Sequence, residues 1–203
     1  MKKFTIYSNE YLSKKIQGYY HEDYHGGGNW KIEGTIENIV VTLKNTYGKE
    51  SNPILNRALQ GLSRILYDDL YSFQKDLTIC IIPRSKAEKT YSPSQLLFKK
   101  LIKYFIKRLN FNDGSDYIIR HTNTRTTHMN RSGHGGDGDM PYIGISQDTC
   151  YISQNVKGKN ILLIDDLYTK TVNIDEDMIQ ALLNSGAKSV KFYAVGKTVY
   201  EHA

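Results

Sequence analysis

The chain has 203 residues, of which 39% are hydrophobic, and it carries a formal net charge of +6. This length is enough for one domain with a sizeable core, and no apolar run is long enough to span a bilayer, so we expect no membrane partner. Its two cysteines exclude a four-cysteine zinc site and are typical of a reducing compartment, so the cytoplasm is the expected location. Nucleic-acid binding, attraction of a polyphosphate substrate and a lysine-rich proteome all remain open as explanations of the positive charge.

The hydrophobic pattern alternates between strands and helices along the chain. Residues 1–34 are rich in Tyr, Gly and charge, and we expect them to form an N-terminal extension or hood on a domain over 35–203. The pattern predicts strands over 3–7, 36–43, 77–83, 117–120, 161–165 and 189–196, and helices over 52–73, 92–110 and 174–186. Such alternation predicts an α/β fold with a three-layer, mainly parallel sheet.

The segment NILLIDDLYTK, residues 160–170, carries the strongest functional signal. Ligands of open α/β sheets bind where the carboxyl ends of buried strands meet their loops, and here such a strand leads directly into Asp165 and Asp166. Adjacent carboxylates repel each other and resist desolvation, so they are tolerated where they face a polyhydroxyl ligand or a divalent cation. The segment therefore predicts a ligand site, with a helix cap and a structural salt bridge as the alternative for the two acids.

The motif IDDLYTKTVNI resembles the signature of the type I phosphoribosyltransferases: apolar residues, two acids, an apolar residue and a hydroxyl-rich phosphate loop. In that family the acids contact the ribose hydroxyls of phosphoribosyl pyrophosphate, and the loop binds its 5-phosphate. The resemblance implies that Asp165 and Asp166 hold ribose, with Mg²⁺ bound indirectly or through the substrate. It assigns the 5-phosphate loop to Tyr168, Thr169, Lys170, Thr171, Val172 and Asn173. Thr171 replaces the family's usual Gly, and Asn173 replaces its usual Thr.

Two upstream segments resemble the ComF-like branch of that family, although the zinc ribbon common in this branch is missing. The segment LTICIIPRSK is similar to a strand and pyrophosphate loop, which assigns the loop to Pro83, Arg84, Ser85 and Lys86. Arg84 and Lys86 are the cations that a leaving diphosphate requires. The segment after Tyr117 resembles the family's Arg- and Thr-rich stretch and makes Arg120 a further catalytic candidate. A glycine-rich segment at 130–141 is expected to be a flap over the site, with an ordinary surface loop as the alternative.

The resemblance implies an enzyme that transfers phosphoribosyl from phosphoribosyl pyrophosphate to a base, an amine or a macromolecule, with Mg²⁺ as cofactor. A second hypothesis is a regulator that binds the same ligand without turnover, since Thr171 and Asn173 depart from the motif. A third is a ComF-like protein that handles nucleic acid, for which the lysines of helix 92–110 are either a binding patch or a solvated face. A homodimer is also compatible with this resemblance.

Overall fold

The computed structural model describes residues 1–125 and 145–199, and these ranges form an α/β fold with a six-stranded sheet and five α-helices. The strands are β1 (Lys2–Ile6), β2 (Ile16–Tyr24), β3 (Thr78–Ile81), β4 (Asn112–Asp113), β5 (Ile118–Arg120), β6 (Cys150–Ile152), β7 (Asn160–Tyr168) and β8 (Ser189–Thr198). The helices are α1 (Ile36–Lys44), α2 (Asn52–Tyr71), α3 (Leu97–Arg108), α4 (Ile145–Thr149) and α5 (Ile174–Asn184). Among the described helices, none is long and apolar enough to cross a membrane.

The central sheet has the strand order β1-β2-β8-β7-β3-β4, and its ladders are parallel except between β1 and β2. Helices α1, α2 and α3 pack on one face, and α5 packs on the other, so apolar side chains cover the buried strands from both sides. The predicted α/β class and mainly parallel sheet are confirmed. The strand expected over 117–120 lies elsewhere, because β5 pairs antiparallel with β6 in a separate two-stranded sheet.

The ladders on the two sides of β7 end at different places. On one side the pairing with β3 ends at Ile81 and Ile164, followed by one more hydrogen bond from Ile82 N to Ile164 O. On the other side the pairing with β8 continues to Tyr168. The last residues of β7 are therefore held by β8 alone among the described strands, and an opening forms at the carboxyl edge of the sheet beside β3.

The segment 36–43, predicted as a strand, is helix α1. Its β-branched residues favour a strand by propensity, but the ends of the segment carry helix signals that prevail. Thr35 caps the first turn by accepting a hydrogen bond from Asn38 N, and Asn45 closes the helix in the left-handed conformation with φ of 40°. The buried apolar side chains recur at helical spacing: Ile36, Ile39, Val40 and Leu43.

The first 34 residues, expected as an extension, contribute β1 and β2 to the central sheet. Strand β2 pairs in parallel with β8, from Gly18 to Tyr24. A buried carboxylate strengthens this connection, because Asp69 at the end of α2 accepts hydrogen bonds from His21 Nδ1 at 3.0 Å and from Tyr193 OH at 2.8 Å. The carboxylate of Asp69 thus joins β2, β8 and α2 within an apolar layer.

The cap of α1 provides a test of the helix found where the sequence predicted a strand. Replacing Thr35 with Ala removes the acceptor for Asn38 N, and we expect the free energy of unfolding in urea to fall by about 1 kcal/mol. Thr35→Ser keeps the hydroxyl oxygen and serves as the control, with stability close to that of the unaltered chain. Equal stability of the Ala and Ser variants would argue against this capping contact.

Candidate functional site

The candidate site lies at the opening beside β7, where two clefts are present. The first cleft is narrow and contains Lys44 and Asp166 among apolar side chains of α1 and α2, with a cavity volume of about 10 Å³. The second contains Arg84 and Lys86 after β3, with a cavity volume of about 40 Å³. Phe98 lines both clefts, so Asp166 of the predicted acid pair and the predicted pyrophosphate loop border neighbouring clefts, whereas Asp165 lines neither.

Asp165 and Asp166 face opposite sides of the sheet, because successive residues of a strand alternate. Asp166 points towards α1, where its Oδ1 lies 3.1 Å from Nζ of Lys44 at the last position of that helix. Burial opposes the charge of Lys44, but the carboxylates of Asp166 and Asp165 together raise the pKa of this lysine. Lys44 therefore stays charged, and its charge is balanced by the carboxylate of Asp166 in the first cleft.

Asp165 points towards α5, where it meets a second carboxyl group. Asp175 hydrogen-bonds to Asp165, and Asp165 Oδ1 also accepts a hydrogen bond from the backbone N of Asp166 at 2.7 Å. Burial and the neighbouring charge of Asp166 raise the pKa of Asp165 to about 7. Burial and the charge of Asp165 raise the pKa of Asp175 well above its ordinary value. Two hydrogen-bonded carboxyls in such a place share a proton, which Asp175 holds and donates to Asp165.

The first turn of α5 adds further buried acids beside this pair. Glu176 accepts a hydrogen bond from Tyr168 OH at 2.7 Å, and Asp177 accepts one from Ser146 N at 2.8 Å. Asp175 Oδ1 and Glu176 Oε2 are buried with no hydrogen-bond partner among the described residues. Acids suit the positive end of a helix dipole, but here they also reduce the attraction of that helix end for a phosphate.

The predicted 5-phosphate loop follows β7 and leads into α5. Tyr168 is buried, Thr169 Oγ1 lies 2.9 Å from Thr198 Oγ1, and Lys170 and Thr171 are exposed. Val172 N donates to Thr169 O at 2.9 Å and closes a turn. Asn173 precedes the helix with φ of 60°, and its side chain accepts a hydrogen bond from Asn9 instead of capping α5. The turn and the exposed Lys170 are suited to an anion, whereas the acidic helix end is not.

The predicted pyrophosphate loop, Pro83 to Lys86, is held from the side of β5. Ser85 O accepts hydrogen bonds from Thr124 N at 2.7 Å and from its hydroxyl at 2.9 Å. Lys86 Nζ donates to Thr124 O, and the guanidinium of Arg84 lies 4.5 Å from the ring centre of Tyr91. All four residues of the loop are partly exposed. Pro83, Arg84 and Lys86 line the second cleft, and Ser85 lies between the latter two in the chain.

Arg120, predicted as a catalytic residue, is buried and holds the loop from behind. Its Nε donates to Arg84 O at 2.8 Å, and its NH1 donates to Thr149 Oγ1 at 2.6 Å. Burial lowers the pKa of this guanidinium. Two of its donors are therefore committed to protein acceptors, which makes Arg120 a positioning residue for the backbone of the pyrophosphate loop.

Gln95 links the pyrophosphate loop to the end of α1. Its carbonyl oxygen accepts a hydrogen bond from Arg84 NH1 at 2.7 Å, and its side-chain amide donates to Asn45 O at 3.1 Å. Asn45 follows Lys44 directly, so the end of α1 and the pyrophosphate loop are attached to the same residue.

Sequence reasoning missed Lys44, Asp175 and Gln95, all of which bear on the site. Lys44 directly follows the segment 36–43, which was predicted as a strand. A strand there gives no reason to place Lys44 near Asp166. The helix spacing of Ile36, Ile39, Val40 and Leu43, together with the Thr35 cap, was the available signal. Sequence reasoning offered no ground to assign Asp175 to the site, since its contact with Asp165 depends on tertiary packing.

Mg²⁺ was expected at Asp165 and Asp166, indirectly or through the substrate. In residues 1–125 and 145–199 no group of three or more His, Cys, Asp or Glu side chains is arranged to hold a metal ion. Because the two acids face opposite sides, they do not form a closed protein site. The expected Mg²⁺ stays a prediction, of the kind in which one or two carboxylates act together with the phosphates of a substrate.

The segment expected as a flap, 130–141, lies outside the described residues. Comparison of the chain with models of protein families and with curated proteins gives no match. The assignment of function therefore depends on the fold and on the geometry of the site.

The shared proton of Asp165 and Asp175 predicts how stability varies with pH. Both pKa values are raised in the folded chain, so between about pH 4 and 7 the unfolded chain releases protons that the folded chain retains. The free energy of unfolding should fall as pH rises through this window. Asp175→Asn keeps a hydrogen-bond donor and removes one acid, so it should raise stability at pH 7.5 by about 1–2 kcal/mol and flatten the dependence.

Urea unfolding at a series of pH values measures this effect. Asp177→Asn is the matched control, since it changes an acid of the same helix turn whose carboxylate accepts a backbone hydrogen bond. It should give no gain in stability. The shared proton is refuted if the unaltered chain shows constant stability from pH 4 to 7 and Asp175→Asn behaves like Asp177→Asn.

Proposed function

We propose that this protein is a phosphoribosyltransferase of the type I class, related to the ComF-like branch, that binds phosphoribosyl pyrophosphate with Mg²⁺. It transfers the phosphoribosyl group to a nitrogen or other nucleophilic acceptor and releases diphosphate. The observation that carries this proposal is the presence of two neighbouring clefts at the carboxyl edge of β3 and β7. One contains Asp166, whose carboxylate suits ribose hydroxyls, and the other contains Arg84 and Lys86, whose charges suit a diphosphate.

Each part of the ligand has a group of matching chemistry along this edge. Carboxylates accept hydrogen bonds from ribose hydroxyls, which is the proposed role of Asp165 and Asp166. Arg84 and Lys86 carry the positive charge that stabilises a diphosphate leaving group. The turn from Thr169 to Asn173 receives the 5-phosphate, with Lys170 as its cation.

The proposed reaction requires positioning and charge neutralisation and no covalent enzyme intermediate. The bond between the anomeric carbon and the diphosphate oxygen breaks, and its electron pair leaves with the diphosphate. A lone pair of the acceptor forms the new bond to the anomeric carbon, and the acceptor gives up its proton to solvent or to a base. A Mg²⁺ ion held by the substrate phosphates beside Asp166 would supply further charge neutralisation for the leaving diphosphate. Lys44 keeps Asp166 in place beside the ribose, and Arg120 keeps the pyrophosphate loop in place.

Binding is tested by isothermal titration calorimetry with phosphoribosyl pyrophosphate and Mg²⁺. The double variant Asp165→Asn with Asp166→Asn should weaken binding by about tenfold to a hundredfold, since hydrogen bonds to charged groups are lost. The matched control is Asp68→Asn with Asp76→Asn, which removes the same charge from two exposed acids outside both clefts. The site assignment is wrong if both double variants bind like the unaltered chain.

Turnover is tested separately by measuring diphosphate release with Mg²⁺, alone and with a panel of bases and amines. The enzyme proposal predicts release that depends on an acceptor and is lost in Arg84→Met. A chain that binds the ligand but releases no diphosphate with any acceptor would contradict the enzyme assignment and leave the ligand assignment standing. A chain that binds no phosphoribosyl pyrophosphate would contradict both.

One observation favours a regulator that binds the ligand without turnover. Asp175, Glu176 and Asp177 are buried in the first turn of α5, next to the expected position of the 5-phosphate. Asp175 holds a proton, but the carboxylates of Glu176 and Asp177 oppose a doubly charged phosphate there. Thr171 and Asn173, which differ from the family motif, lie in the same loop. The release assay separates this candidate from the enzyme.

A further inference from the structure

A group of exposed aromatic rings lies on the layer formed by α2 and α3. Tyr67 and Tyr71, one turn apart on α2, are 41% and 65% exposed, and Tyr104 on α3 is 52% exposed. The ring centres of Tyr67 and Tyr71 are 6.0 Å apart, and the buried Phe105 links Tyr67, at 6.3 Å, to Tyr104, at 5.2 Å. We call these three tyrosines the tyrosine ridge.

Cations lie over the rings of the ridge. Lys75 Nζ is 5.4 Å from the ring centre of Tyr71, and the guanidinium of Arg108 is 6.0 Å from that of Tyr104 and donates to its hydroxyl at 3.2 Å. Helix α3 carries four lysines, one arginine and no acid in its sequence LFKKLIKYFIKR. Lys100, Lys107 and Arg108 are exposed within one turn of Tyr104, whereas the exposed Asp68 lies beside Tyr67 on α2, so the positive charge is concentrated at the α3 side of the ridge.

The ridge is remote from the proposed active site. Helix α2 leads into β3 and α3 leads into β4, so the ends of both helices, with Tyr71 and Arg108, lie near the amino-terminal edge of the sheet. The acid pair and the pyrophosphate loop lie at the carboxyl edge. Occupation of the ridge is therefore compatible with a ligand at the other site.

We propose that the tyrosine ridge binds single-stranded nucleic acid. Exposed aromatic rings stack on unpaired bases, and adjacent cations contact the phosphate backbone. A duplex hides the faces of its bases, so the rings add nothing to duplex binding beyond the charge. An acidic peptide would use the lysines and leave the rings without a partner. The combination of three rings with flanking cations thus favours a single strand over either alternative.

Fluorescence anisotropy with a labelled 15-nucleotide oligothymidylate, compared with a duplex of the same length, tests the proposal. The unaltered chain should bind the single strand more tightly than the duplex. Tyr71→Ala with Tyr104→Ala should weaken single-strand binding about fivefold to a hundredfold for each ring removed, whereas Tyr71→Phe with Tyr104→Phe should retain most of it. Arg108→Gln should reduce the slope of the logarithm of the binding constant against the logarithm of salt concentration by about one.

Tyr47→Ala is the matched control, because Tyr47 is 70% exposed and has Lys49 Nζ 5.7 Å from its ring centre but lies outside the ridge. It should bind like the unaltered chain. Three results would each overturn the proposal: absence of single-strand binding at low salt, equal affinity for the duplex, and displacement by polyglutamate as effective as by unlabelled oligonucleotide. A loss in Tyr47→Ala equal to that in the ridge variant would overturn it as well.

Discussion

The alternation of side chains along β7 is the constraint on which the site depends. The two adjacent acids of this strand point to opposite layers of the fold, so each meets a different contact partner. Asp166 pairs with Lys44 from α1, and Asp165 accepts a hydrogen bond from Asp175 of α5, while burial and the charge of Asp166 raise the pKa of Asp165. The site therefore requires helices on both faces of the sheet, and each layer supplies one electrostatic partner. If helices covered only one face of the sheet, one of the two acids would have no partner to offset the repulsion between them.

The unequal ladders of β7 explain why this charge is accessible. The ladder of β7 with β3 ends at Ile164, four residues before its ladder with β8 ends at Tyr168, so a gap opens next to the acids. Arg84 and Lys86, in the loop after β3, lie at the rim of this gap. Asp166 and the cations Arg84 and Lys86 thus lie in neighbouring clefts. The proposed ligand, with hydroxyls at one end and phosphates at the other, is suited to that distribution of charge.

Much of the fold follows from periodicity in the sequence. The buried strand before Asp165 and helices α2, α3 and α5 have apolar patterns long enough to be unambiguous, and the α/β class follows from their order. The pattern failed at 36–43, where β-branched residues favour a strand while a capping threonine and a left-handed asparagine define a helix. It also placed 117–120 in the main sheet, because propensity does not reveal which strand is the partner. The acids of the site were evident from their position, but their partners Lys44 and Asp175 come from distant parts of the chain and depend on packing.

The attachment of both clefts to Gln95 has a consequence for ligand affinity. Arg84 and the end of α1 are fixed relative to each other by the same residue before any ligand arrives. A ligand that contacts both residues would find them at a preset separation and would not need to order them on arrival. Under the proposed function, this fixed separation favours ligands whose hydroxyl-bearing and phosphate-bearing ends are spaced to reach Asp166 and Arg84 together.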